Sequence, residues 1–364
     1  MTTPRGPVFV VGSMRSGSTL LRLILDSHPH IAIGAETGFM GGLRAAKDIP
    51  GWKFGKDWYE RLGWTEAEFD ARLREFYSGL FQRFAAEQGK PRWGEKTPFH
   101  TEHVGEMSRI FPDAVFVGLV RHPGAVASSL RAKFHYGFAD ALAYWSDTNV
   151  RLVRAGSELG DRFVLLRYED LVLEGEPVLR ELLDWLGEPW HPDVLEHHRV
   201  QREKGAPRAA EGRTITRDPV DAGRAVQWVR ELREQDRQAL DGVAALAGFL
   251  GYQTLDPELR ERPTEGAGWL VDGVALARRR LRWQDRLSFA ARPAGALPEG
   301  ALLDGDGEEL ATRLAHLEGV LARVRSRRAV RVADAVRTVQ HGRSLDDVRR
   351  AWTLLRGPRY DGRA

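Results

Sequence analysis

The sequence predicts an α/β fold of the P-loop type: a parallel sheet flanked by helices, followed by a C-terminal helical extension. Short apolar runs bounded by Pro, Gly or charged residues recur at 7–12, 115–120 and 163–166, as expected for buried parallel strands. Helical patterns separate these runs, and that alternation is typical of sheets covered on both faces. We expect an α/β domain over residues 1–255 and an Arg-rich helical extension over residues 256–364.

The predicted helices follow from apolar spacing and from end signals. Ser18–Ser27 is one helix, a second ends at Phe111, and a third runs over Pro177–Leu186. Thr65 and Glu68 form a capping box that begins a further amphipathic helix. Its apolar stripe, at spacings of three and four, consists of Phe69, Leu73, Phe76, Leu80 and Phe84.

Composition excludes several classes of function. The 364-residue chain has no cysteine, which rules out disulfides, thiolate nucleophiles and Cys-ligated metals. A formal net charge of +3 is too small to indicate a nucleic-acid partner. No apolar run approaches the roughly 20 residues of a membrane helix, and the chain enters a strand at Val8 without a signal sequence. We therefore expect a cytoplasmic protein without a transmembrane segment.

The loop from Gly12 to Thr19 follows the first strand and begins the first helix, an arrangement whose free N–H groups bind anions. Gly12 and Gly17 have the spacing of a nucleotide phosphate loop. Ser18 occupies the position at which such loops carry lysine, and the cation is instead Arg15. The loop therefore suits a short anion without a metal ion better than a metal-bound triphosphate. The residues expected to hold that anion are Arg15, Ser16, Gly17, Ser18 and Thr19.

Two further unusual segments follow predicted strands, at Arg121–Ser129 and Arg167–Asp170. Ligands of parallel sheets bind at the carboxyl ends of the strands, so we expect both segments to lie beside the phosphate loop. Arg121 is suited to bidentate contact with a second phosphate. The hydroxyl group of Ser129 and the ammonium of Lys133 follow on the next helix.

These segments together resemble the sulfotransferases that use PAPS (3′-phosphoadenosine-5′-phosphosulfate). Residues 10–21 are similar to the family's 5′-phosphosulfate loop, and residues 120–129 to its 3′-phosphate segment. Residues 167–172 resemble a further common segment. Glu95–Phe99 and Ile33–Thr37 match the branch that contains the tyrosylprotein sulfotransferases. The resemblance extends over about residues 6–255.

The resemblance implies three catalytic residues. Glu36 corresponds to the base that removes the acceptor proton, with His100 and His135 as the alternatives, because histidine is the base in other branches. Lys96 corresponds to the lysine that neutralises the leaving group. Arg15 would hold the 5′-phosphate and its bridging oxygen.

The resemblance also implies the residues that bind the cofactor. Ser129 and Lys133 would hold the 3′-phosphate together with Arg121, and Tyr168 would touch it, although packing on the sheet explains Tyr168 equally well. Thr214 is a candidate on a later loop that closes over the nucleotide. PAPS is then the co-substrate and PAP the product, with no metal.

The function indicated is therefore O-sulfation, with two alternatives left open. One is a P-loop small-molecule kinase using ATP and Mg²⁺, which Ser18 disfavours, and the other is a non-catalytic nucleotide-binding protein. Because tyrosine sulfation is a secretory-pathway activity, we expect a small hydroxylated acceptor, in a bacterial natural-product pathway. Aromatic residues after Glu36 are candidates for its pocket: Phe39, Trp52, Phe54, Trp58, Tyr59 and Trp64.

The extension carries an apolar pattern at spacings of three and four, formed by Leu310, Leu314, Leu317 and Leu321. We expect it to pack on the α/β domain or on a second subunit, which would make a homodimer. Acceptor recognition and docking on a membrane surface remain open.

Overall fold

The computed structural model describes residues 6–204, 218–225 and 227–252. The extension over 256–364, its proposed homodimer contact and Thr214 lie outside the described residues. The domain boundary near residue 255 therefore stays a prediction.

The centre of the described structure is a parallel sheet of five strands in the order β2-β3-β1-β4-β5. The strands are β1 (Val8–Gly12), β2 (Ile31–Ile33), β3 (Arg92–Lys96), β4 (Val115–Val120) and β5 (Phe163–Arg167). The α/β fold class is confirmed, as are the three predicted strands. The two missed strands lack an apolar signal of sufficient length: β2 has three residues, and β3 reads Arg-Trp-Gly-Glu-Lys although every residue is buried.

Helices connect the strands and cover the sheet. They are α1 (Ser18–Ser27), α2 (Phe39–Lys47), α3 (Glu66–Glu87), α4 (Val104–Ile110), α5 (Pro123–Phe134), α6 (Phe138–Leu159), α7 (Tyr168–Leu173), α8 (Gly175–Leu186), α9 (His197–Glu203), α10 (Glu234–Asp241) and α11 (Ala244–Phe249). The predicted capping box is present at α3: Glu68 N donates to Thr65 Oγ1 and Thr65 N donates to the Glu68 carboxylate. No helix in the described part of the chain is long and apolar enough to span a bilayer.

The predicted apolar stripe of α3 packs only in its N-terminal part, where Phe69 stacks on Tyr59 with ring centroids 4.4 Å apart. Phe76, Leu80 and Phe84 are 60%, 53% and 38% exposed. The helix packs instead through a neighbouring face, where the ring of Phe81 stacks on Trp93 of β3 with centroids 4.8 Å apart. Two overlapping apolar stripes run along this helix, and the pattern alone does not select between them.

Strand β1 is buried on both faces, which places its carboxyl end within a rigid core. Val8 and Val10 belong to one apolar cluster with residues of α1 and α8. Phe9 points to the other face, where its ring lies 5.4 Å from both Phe111 and Phe116, measured between centroids. Alternation along a strand explains this division, and the phosphate loop begins where the strand ends.

Candidate active site

The phosphate loop lies between β1 and α1, as predicted. Gly17 adopts a left-handed conformation with φ +97° and precedes the first residue of α1 without a side-chain cap, so the first N–H groups of the helix are left for a ligand. Arg15 is also left-handed, with φ +67°, a conformation uncommon for a residue other than glycine. The hydroxyl groups of Ser13 and Ser16 are buried without a hydrogen-bond partner among the described residues. A buried polar group without a partner is costly, and an anion would satisfy them.

Three contacts from distant parts of the chain fix this loop. The Thr101 hydroxyl group accepts from Gly12 N at 2.8 Å and donates to Gly12 O at 3.0 Å. The Tyr144 hydroxyl group accepts from Met14 N at 2.8 Å. Burial raises the pKa of Tyr144 to about 12, so the phenol stays protonated at neutral pH.

Arg121 and Ser129 come together with Arg15 beside the loop. Arg15 Nε donates to Ser129 Oγ at 2.8 Å. Arg121 follows β4 and donates to the carbonyl of Arg15 at 3.3 Å. Its guanidinium lies 4.3 Å from the centroid of the Tyr168 ring. Burial raises the pKa of Tyr168, and Arg121 opposes that rise. Arg121 Nε and Ser128 Oγ are buried without a partner among the described residues, which again indicates space for an anion.

A third arginine at this site was not predicted from the sequence. Arg224 lies in the 3₁₀ turn Ala222–Ala225, and its carbonyl accepts from Arg121 at 2.6 Å. Burial lowers the pKa of Arg15, and the charges of Arg121 and Arg224 lower it further. Like charges so arranged favour a bound anion, which relieves their repulsion. Arg224 lies 103 residues from Arg121, and about twice as far from Arg15, in a segment without a recognisable motif.

These residues surround a cavity of about 620 Å³. Among the predicted cofactor residues, Arg15, Gly17, Ser18, Thr19, Arg121, Lys133 and Tyr168 line it. Ser129 does not line the cavity but accepts a hydrogen bond from Arg15, which does, and Ser16 is buried within the loop. The six aromatic residues predicted for the acceptor pocket do not line it: Phe39 and Tyr59 are buried in the core, and Trp52, Phe54, Trp58 and Trp64 lie elsewhere.

Glu36 and Lys96 meet at one wall of the cavity. Lys96 ends β3 and is fully buried, yet its ammonium forms an ion pair with the Glu36 carboxylate and donates to Thr19 Oγ1 at 3.1 Å. Glu36 is 42% exposed at its side chain and lines the cavity. A proton acceptor, a lysine and the phosphate loop are therefore adjacent.

The alternative bases are placed less favourably. His100 is buried and its Nδ1 lies 2.8 Å from Glu95 Oε2, while His135 is exposed at the end of α5. Neither is among the described residues that line the cavity. Glu36 is the candidate base that the geometry favours.

One group of possible metal ligands occurs among the described residues, formed by His28, His30 and Glu188. Both ring nitrogens of His28 are already engaged: Nδ1 accepts from His30 N at 3.1 Å, and Nε2 lies 2.8 Å from Pro189 O. A metal bound to this ring would have to displace one of these two contacts. None of the three residues lines the cavity.

A family model described as the sulfotransferase family matches residues 7–192. This chain belongs to the sulfotransferase family. It is a PAPS-dependent enzyme, as predicted, with PAP as the product. These matches give no support to the alternative function, a P-loop small-molecule kinase.

Curated relatives agree with this assignment. Protein-tyrosine sulfotransferase 1 of Danio rerio is 27% identical over 260 residues, which cover 67% of this chain and 72% of the relative. The Homo sapiens protein of the same name is 29% identical over 259 residues, covering 67% and 69%. Among solved structures, the sulfotransferase domain of the Synechococcus PCC 7002 olefin synthase matches with a TM-score of 0.47 and 23% identity, covering 67% of this chain and 96% of that one.

The comparisons correct two expectations. The cytoplasmic location is wrong: the curated relatives are protein-tyrosine sulfotransferases, and tyrosine sulfation belongs to the secretory pathway. That prediction rested on missing apolar segments, which do not determine a location. A bacterial natural-product role is unsupported, since these relatives are animal enzymes.

Proposed function

We propose that this sulfotransferase transfers the sulfuryl group of PAPS to the phenolic hydroxyl group of a tyrosine in a polypeptide. The proposal replaces the small metabolite expected from the sequence, because that expectation depended on a cytoplasmic location. The observation that carries it is the Glu36–Lys96 pair, which puts a carboxylate at the cavity wall beside the phosphate loop. The curated relatives are protein-tyrosine sulfotransferases, which supports the choice of acceptor.

The cavity offers two separate anion sites for PAPS. We assign the 5′-phosphosulfate to the loop, where Arg15 and the backbone from Gly17 to Thr19 supply donors. We assign the 3′-phosphate to Arg121, Ser129 and Lys133. The unpartnered Arg121 Nε supports this, since a phosphate would accept from it. The ring of Tyr168 lies against the guanidinium of Arg121.

The reaction needs a base for the acceptor proton and positive charge beside the leaving 5′-phosphate. A phenol has a pKa near 10, so Glu36 would take its proton as the phenolic oxygen bonds to sulfur. The bond between sulfur and the bridging oxygen breaks in the same step, and negative charge develops on the 5′-phosphate of PAP. Lys96 and Arg15 would neutralise that charge, and their burial strengthens the interaction. Lys96 must then leave Glu36 for the leaving oxygen.

Two exposed phenyl rings support an aromatic acceptor. Phe99 and Phe134 line the cavity together with Pro98 and Glu36, and they are 56% and 47% exposed. Exposed aromatic surface at a cavity is a usual feature of ligand sites, since binding an apolar ring removes it from water. A phenol ring between them would present its hydroxyl group toward Glu36.

Transfer of label from ³⁵S-PAPS tests the acceptor. We expect label on a peptide with one tyrosine and none on the same peptide with phenylalanine or serine in its place. A panel of small alcohols and free phenols serves as the comparison. Labelling of small alcohols with no labelling of any tyrosyl peptide would refute the polypeptide acceptor.

A further inference from the structure

Two consecutive residues of β3 hold two consecutive residues of the loop that carries the candidate base. Lys96 contacts Glu36, and Glu95 contacts Thr37. Adjacent strand residues point to opposite faces, so these two contacts approach the loop from different sides. The first contact lies at the cavity, whereas in the second a buried carboxylate reaches the exposed Thr37, which does not line the cavity.

Both oxygens of the buried Glu95 carboxylate contact polar groups of neighbouring residues. Its Oε1 accepts from Thr37 Oγ1 at 2.9 Å, from Thr37 N at 3.3 Å and from Thr97 Oγ1 at 2.7 Å. Its Oε2 lies 2.8 Å from His100 Nδ1. Burial alone would raise the pKa of Glu95, but His100 and the two threonine hydroxyl groups outweigh burial and hold the pKa below its ordinary value. The group is therefore a carboxylate at neutral pH.

The hydroxyl groups of Thr37 and Thr97 link this carboxylate to the start of α2 by hydrogen bonds. Gly38 N donates to Thr97 Oγ1 at 3.2 Å, and Phe39 N donates to Thr37 Oγ1 at 3.3 Å. Gly38 precedes α2 in a left-handed conformation and has no side chain to cap it. Glu95 thus satisfies the first N–H groups of α2 through two hydroxyl groups, and its charge suits a helix N-terminus.

We propose that Glu95 is a positioning residue that keeps Glu36 at the acceptor during sulfuryl transfer. The inference rests on the proposed role of Glu36 as the base. Residues 35–38 are exposed, so the loop gains little from packing. The ion pair with Lys96 is given up when Lys96 turns to the leaving oxygen. The contacts of Glu95 with Thr37 and Thr97 do not involve the cavity and persist through that change.

The test compares Thr37→Val, Glu95→Leu, which removes the acceptor oxygens at that position, and the double variant. We expect Thr37→Val to lower kcat by on the order of 10- to 100-fold, because a small displacement of a reacting group has that effect. The affinity for PAP should stay unchanged. The double variant should be no worse than Glu95→Leu, since both substitutions break one connection. Ser27→Ala is the control: it loses a buried hydrogen bond to Leu23 O at 2.8 Å outside the cavity and should keep full activity.

A second acceptor separates positioning from a loss of structure. A peptide whose tyrosine carries a ring nitro group has an ionised phenol near neutral pH and needs no base. We expect the kcat of Thr37→Val to return to the wild-type value with this peptide. An equal loss with both acceptors, or a wild-type kcat for Thr37→Val with the unmodified peptide, would overturn the proposal.

Amide hydrogen exchange gives a readout that does not depend on the acceptor. With PAP bound, residues 35–39 should exchange faster in Glu95→Leu than in the wild type, and unchanged exchange would overturn the inference whichever acceptor is used. Failure of the wild type to sulfate tyrosyl peptides refutes the acceptor assignment alone. Full activity of Glu36→Gln refutes the base, and this inference with it.

Discussion

The ring of Tyr168 packs directly on the backbone of Gly17. A methyl group on Gly17 would lie 2.3 Å from Cδ2 of that ring, well inside contact distance. Gly17 also has a φ of +97°, which glycine adopts without strain. The contact joins the phosphate loop to the first residue of α7, and Arg121 lies over the same ring. Tyr168 thus contacts both the phosphate loop and the arginine that we assign to the 3′-phosphate.

Gly17→Ala should therefore displace the loop and abolish PAP binding. The left-handed conformation alone costs about 1–2 kcal/mol for an alanine, and the contact with Tyr168 adds to it. Urea unfolding and calorimetric titration of PAP measure the two effects. Gly187→Ala is the matched control, because Gly187 has a φ of +72° with no atom near its added methyl group. Wild-type PAP affinity in Gly17→Ala would show that the contact is not needed.

The two anion sites predict different losses for their arginines. Arg15→Ala should weaken PAP and 5′-AMP alike, whereas Arg121→Ala should weaken PAP much more than 5′-AMP. Each loss should be roughly 10- to 100-fold, since a hydrogen bond to a charged group contributes about 1.5–3 kcal/mol. Arg83→Ala, on the exposed side of α3, should change neither affinity. Equal effects of Arg121→Ala on both nucleotides would contradict the assignment of the 3′-phosphate.

Glu36→Gln should bind PAP like the wild type and lose turnover. The expected fall in kcat is about 10²- to 10⁴-fold, the usual contribution of general base catalysis. Stopped assays with labelled PAPS measure turnover, and titration of PAP in the same preparation measures binding. Glu87→Gln, at the exposed end of α3, serves as the control. Full activity in Glu36→Gln would remove Glu36 as the base.

Lys90 should give the fold a measurable pH dependence. Burial lowers the pKa of Lys90 to about 7, although Asp26 opposes the fall. Between pH 7 and about 10 the unfolded chain binds a proton at Lys90 that the folded chain has lost, so stability rises with pH across that range. Urea unfolding at pH 7.5 and 9.5 should show a larger rise for the wild type than for Lys90→Met. Equal rises in both proteins would contradict the lowered pKa.

Local sequence determined part of this site. Gly12, Gly17 and Arg15 could be placed because a strand, a loop and a helix follow one another within twenty residues. Arg121 and Tyr168 could be placed because each follows a strand, and the carboxyl ends of parallel strands meet.

The supporting residues could not be predicted in the same way. Thr101, Tyr144 and Arg224 reach the loop or its arginines across more than eighty residues, and none belongs to a local pattern. The charged residues of β3 do not indicate a buried strand in the sequence. Glu95 and Lys96 find their partners, Thr97 and Glu36, only in the folded chain.

Binding of PAP to the unmodified protein tests the central claim most directly. A ligand at 100 times its Kd stabilises a protein by about 2.7 kcal/mol, a shift that thermal unfolding detects. We predict that shift with PAP, a smaller one with 5′-AMP at the same concentration and little with ATP and Mg²⁺. Stabilisation by ATP and Mg²⁺ with none by PAP would contradict a cavity built for PAPS.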